Sequence, residues 1–107
     1  MKINESHKIL LQFKNKEISH LKANANYTYL FGLDGTKVLS AYSLKVFEEL
    51  LEDKDYIRID RSNLVCRSFI EGVFIKDESF YIKLRNDKTL KIPRRKKILM
   101  KNYLNLN

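Results

Sequence analysis

The sequence predicts a mainly β fold with about two short helices. Three observations predict it. Apolar residues recur mostly in short, alternating runs. The segment NYTYLFGLDGTKVL carries a strong hairpin signal. Only two stretches, 43–52 and 94–104, have apolar residues at helical spacing.

Ile9 to Phe13 is short and apolar without helical spacing, which predicts a strand. Glu17 to Ala23 predicts a second. In the hairpin, Tyr27, Tyr29 and Phe31 point one way and Thr28, Leu30 and Gly32 the other. Asp34-Gly35 predicts a type I′ turn, with both residues at positive φ, and Thr36 to Ser40 is the returning arm. Ser43 to Glu52 then predicts a helix. Leu44, Phe47, Leu50 and Leu51 form its apolar stripe, and the Ser43 hydroxyl is expected to cap its start. Strands follow at Tyr56–Ile59, Leu64–Cys66 and Gly72–Lys76. Ser79–Leu84 is expected to pair with Thr89–Ile92 through an Asn86-Asp87 turn. Pro93 ends that strand and opens a final helix over Arg94–Leu104, with Ile98, Leu99 and Tyr103 inward.

At 107 residues, the chain fits one domain, 1–107. No apolar run approaches the roughly 18–20 residues of a membrane span, and the N-terminal run is too short for a signal peptide. Cys66 is the only cysteine, which agrees with a reducing compartment, so a cytoplasmic location is expected.

Charge distribution is the strongest functional clue. Residues 1–82 carry 12 Lys or Arg against 12 Asp or Glu, whereas 83–107 carry nine against Asp87 alone. The whole net charge of +8 therefore lies in the last quarter of the chain. Such a field suits a polyanion: nucleic acid first, with membrane surfaces and acidic proteins as alternatives.

Catalysis finds no support. His7 and His20 have no carboxylate or cysteine at a helpful spacing, Cys66 has no paired histidine, and the three glycines build no phosphate loop. No catalytic residue, metal site or cofactor is expected. Binding is better supported. PRRKK at 93–97 puts Arg94, Arg95, Lys96 and Lys97 at an expected helix start, where backbone N–H groups attract phosphate and forked guanidinium donors add to them. Asn26 and Tyr27, with Asn24, precede a hairpin arm; asparagine can read adenine edges and tyrosine can contact sugar or phosphate, although ordinary turn chemistry is the more frequent role of asparagine there.

The order of these segments resembles the LytTR domain, the DNA-binding output module of LytR/AlgR-type bacterial response regulators. The resemblance rests on ISHLKANANYTYLFGLDG, the short amphipathic helix, YIRIDRSNLVCRSFIEGV and LKIPRRKKILMKNYL, in that order over about residues 9–104. YIRIDRSNLV is its most specific block. Three positions depart from the family pattern: Asp60 replaces a histidine, Cys66 an asparagine and Pro93 a serine. The resemblance implies an elongated arrangement of small β-sheets in which loops enter successive major grooves of double-stranded DNA. By position it assigns Asn26 and Tyr27 to one groove, Arg61 to a contact between grooves, and Arg94, Arg95 and Lys96 to the second groove. Arg95 is expected to meet a base, because arginine bonds guanine O6 and N7 in a fork. Arg61 and the lysines are expected to hold phosphate. Arg58, on another strand face, is expected to be structural and near Asp60. The family usually joins the module to an N-terminal receiver, so the chain is expected to be either the output domain of a response regulator or a stand-alone regulator. The resemblance also implies binding to paired direct repeats. The alternative is a non-specific RNA- or polyanion-binding module.

Overall fold

The computed structural model describes residues 18–52 and 55–97. The expected strand at 9–13 and the expected helix beyond Lys97 lie outside them. The chain divides into two compact units, Met1–Ser68 and Phe69–Asn107.

The first unit is a five-stranded antiparallel sheet with one helix. Its strands are β1 (Ile18–Asn24), β2 (Tyr27–Gly32), β3 (Lys37–Ser40), β4 (Tyr56–Arg58) and β5 (Asn63–Cys66), in spatial order β3-β2-β1-β5-β4. The helix, α1 (Leu44–Leu50), connects β3 to β4. Alternation decides which residues line the core. In β2, Thr28, Leu30 and Gly32 are buried, while Tyr27, Tyr29 and Phe31 are not. Leu21, Leu30 and Leu64 meet Leu44, Phe47 and Leu51 in one apolar cluster. Each such side chain contributes about 1.5–3 kcal/mol through burial. Thr28 is tolerated inside because its hydroxyl donates to the Tyr42 carbonyl at 2.8 Å. A bulge between Ile18 and His20 keeps Ile18 and Leu21 on the helix side despite their odd spacing. His20 lies on the opposite face, stacked on Phe31 with centroids 4.4 Å apart.

Ser43 holds the extended N-cap backbone, yet its side chain makes no capping bond. The apolar stripe, rather than the cap, therefore carries this seven-residue helix.

The second unit is a three-stranded antiparallel sheet, β6 (Ile70–Lys76), β7 (Ser79–Leu84) and β8 (Thr89–Lys91), in that order. A short 3₁₀ turn, Arg67–Phe69, leads into it, and a second, Arg94–Lys96, follows it. Ile82, Leu84 and Ile92 are buried.

The turns correct one expectation and confirm another. Asp34 is not at positive φ; only Gly35 is, at 91°. The Gly35 N–H bonds the Gly32 carbonyl at 3.1 Å and the Gly32 N–H bonds the Thr36 carbonyl at 2.8 Å. This is the three-residue connection with a left-handed third residue, not the two-residue type I′ turn. The Asp34 carboxylate explains the difference, because it accepts the Thr36 N–H at 3.0 Å from a right-handed position. The expected Asn86-Asp87 turn repeats the design. Asn86 Oδ1 accepts the Lys88 N–H at 3.1 Å, and Asp87 takes φ of 69° where the first hairpin has glycine.

Candidate nucleic-acid interface

Strand register brings three of the expected contact residues together. β1 and β5 pair Lys22 with Asn63, and the Ala23 N–H continues the ladder to the Ser62 carbonyl at 2.8 Å. One step further, Asn24 stands level with Arg61. Asn24 also pairs with Tyr27 across the two-residue tip Ala25-Asn26. Asn26, Tyr27 and Arg61 thus occupy one end of the five-stranded sheet. All three are exposed, Tyr27 by 50% despite its ring. Ala25 makes the tip with φ of 55°, in the left-handed region.

The corner between β4 and β5 explains which of its two arginines is available. Arg58 is fully engaged. Its Nε donates to the Asp60 carbonyl at 2.7 Å, one terminal nitrogen donates to Glu48 Oε1 at 2.7 Å, and the other to the Arg61 carbonyl at 2.8 Å. One guanidinium therefore satisfies two loop carbonyls and ties the corner to α1. Asp60 faces the backbone rather than Arg61. Its Oδ1 accepts the Ser62 N–H at 2.8 Å, and both its oxygens lie within 3.1 Å of Asn63 Nδ2. The expected proximity of Arg58 and Asp60 holds, but through the carbonyl of Asp60. The Arg61 guanidinium makes no bond or ion pair among the described residues.

The second cationic stretch belongs to the other unit. β7 and β8 pair Tyr81 with Lys91, and the Ile92 N–H bonds the Phe80 carbonyl at 2.8 Å. Pro93 follows at φ of −56° and starts the turn, which the Lys96 N–H closes on the Pro93 carbonyl at 2.9 Å. Arg94–Lys96 form a 3₁₀ turn that leads into helical backbone at Lys97; the rest of the expected helix lies outside the described residues. Lys97 pins that turn to the sheet, with its ammonium 4.6 Å from the centre of the Phe80 ring. Arg94 and Arg95 are exposed and have no partner among the described residues, while Lys96 is half-buried. An open groove of about 840 Å³ lies beside the turn, lined by Ile75, Phe80 and Ile92 together with Lys91, Arg94 and Lys97.

Pattern reading missed Lys97 as the anchor of this turn. Arg58 was expected to be structural and is, although its bonds to Glu48 and the Arg61 carbonyl were not foreseen. Phe80 gave no signal, because its pairing with Lys97 depends on the register of β7 and β8.

Among the described residues, no group of His, Cys, Asp or Glu could hold a metal ion. No helix among them is long and apolar enough to cross a membrane.

Comparison with known proteins identifies the family and agrees with the fold. The model of the LytTr DNA-binding domain matches residues 8–105. The family it describes is a DNA-binding family, not an enzyme family. The structure is similar to a LytTr DNA-binding domain solved from Bacillus cereus, in a chain assigned as a methyl-accepting/DNA response regulator. The TM-score is 0.69 at 23% identity, over 81% of this chain and 80% of that one. Among curated proteins, none matches.

Proposed function

The chain belongs to the LytTr DNA-binding domain family, and from that premise we propose that it binds double-stranded DNA sequence-specifically as an output module of bacterial transcription regulation. Both units act as one domain in this reading, since the family match spans them. The observation that carries it is the state of three arginines. Arg61, Arg94 and Arg95 are exposed and uncommitted among the described residues, in a chain whose other corner arginine is bonded on every side. Exposed guanidinium groups on short, braced turns suit phosphate and base edges, because the backbone beneath them has little conformational freedom left to lose on binding.

The proposed roles follow from position. Asn26 and Tyr27, at the tip between β1 and β2, enter one major groove, and Arg61 beside them holds backbone phosphate. Arg94, Arg95 and Lys96 face a second groove, with Arg95 forked onto guanine. In the parent protein the module is joined to an N-terminal receiver, and two copies occupy paired direct repeats in the cytoplasm. The direct test is selection of binding sites from random duplexes, followed by competition at physiological salt. Enrichment of a repeated motif over scrambled duplex supports the reading. Equal affinity for motif, scrambled duplex and RNA would instead identify a non-specific polyanion binder.

A further inference from the structure

The groove beside the Arg94–Lys96 turn has an acidic wall that the DNA-binding reading does not use. β6 and β7 are joined by Asp77-Glu78, at φ of 50° and 65°. Lys76 pairs with Ser79 across them, so the pair forms a two-residue hairpin turn. Both φ values lie in the left-handed region, where asparagine or glycine would fit with less strain. Register sets where these acids stand. Tyr81 pairs with Lys91, so Ser79 falls level with Pro93, and the turn shares a groove with Arg94, the neighbour of Arg95. Asp77, Glu78, Lys91, Arg94 and Lys97 line the same groove.

The four acids of this unit divide into two kinds. Glu71 and Asp87 both face Lys83, at 4.0 and 3.8 Å. Asp77 and Glu78 are exposed and have no cation partner among the described residues. Two uncompensated negative charges therefore stand within the field of the arginines proposed to meet DNA. At 0.1 M salt the screening length is about 10 Å, so acids and cations that line one groove act on a common phosphate.

We propose that the Asp77-Glu78 turn is an electrostatic brake that limits phosphate-driven affinity at the Arg94–Arg95 contact. The inference rests on the DNA-binding reading and deepens it. Repulsion from phosphate does not depend on base sequence, so the brake lowers affinity for every duplex by one factor and leaves discrimination to the base contacts. Its effect is to keep the domain from being held on bulk DNA.

The test is duplex binding by Asp77→Asn/Glu78→Gln across a salt series, using the selected motif and its scrambled counterpart. Asparagine tolerates positive φ, and the thermal midpoint reports that the variant is folded. At low salt both affinities should rise together, by about three- to tenfold, and the gain should fade as salt increases. Glu49→Gln/Glu52→Gln, on α1, makes the same change in net charge and should leave affinity nearly unchanged. No gain in the first variant, or an equal gain in the second, overturns the brake. A gain for scrambled duplex alone also overturns it, because the carboxylates would then be reading base amino groups. Failure of the unaltered chain to bind either duplex in a salt-dependent way would instead defeat the DNA-binding reading itself.

Discussion

The two cationic turns spend their arginines differently. At the β4–β5 corner, Arg58 is consumed by the protein: it bonds two loop carbonyls and Glu48, and only Arg61 remains outward. At the turn after β8, no arginine is consumed among the described residues. Lys97 braces the turn through Phe80, and both Arg94 and Arg95 remain outward. The surrounding charge follows the same division. Residues 69–107 carry ten Lys or Arg against four acids, whereas 1–68 are nearly balanced, with eleven against nine. The difference teaches that an arginine stays outward where the loop carbonyls beside it are satisfied by another group. In the first turn an arginine bonds the loop carbonyls; in the second the Lys96 N–H takes the Pro93 carbonyl, and the Lys97–Phe80 contact braces the turn.

Four substitutions would break or sharpen this contrast. Arg58→Ala leaves two loop carbonyls and Glu48 without their donor, and should cost about 2–3 kcal/mol of stability in denaturant unfolding. An unchanged midpoint would mean that the corner holds itself. Arg95→Ala should leave stability alone and lose about 1–3 kcal/mol of discrimination at one base position, read by competition with singly altered duplexes. Arg61→Ala should weaken binding to all duplexes alike and flatten the salt dependence by about one unit. Lys97→Ala should show the smallest effect, about 0.5–1 kcal/mol in thermal unfolding, with a modest loss of DNA affinity as the turn loosens.

Much of the fold was legible in the sequence because its signals are local. Alternation fixed the faces of β2, and the Leu44–Phe47–Leu51 stripe fixed the side of α1 that meets the sheet. The illegible parts depend on competition between groups. Asp34 could have adopted positive φ, but its carboxylate found the Thr36 N–H from a right-handed position, and the turn type changed. Ser43 had the right identity for a cap and still makes no capping bond. The Asp77-Glu78 turn gave little warning, since aspartate tolerates positive φ but glutamate is not a usual turn former there. The candidate site was legible residue by residue, but its grouping was not. That Asn24 and Arg61 stand level follows only from the register of β1 with β5.

The central claim is that base reading resides in the turn after β8 and phosphate holding at the β4–β5 corner. It is tested most directly by titrating Arg95→Ala and Arg61→Ala against one set of singly altered duplexes at fixed salt. The account predicts that Arg95→Ala loses its preference at a single base position while Arg61→Ala keeps every preference at lower affinity. If Arg95→Ala lowers all affinities equally, or if Arg61→Ala is the variant that loses a base preference, the assignment is contradicted.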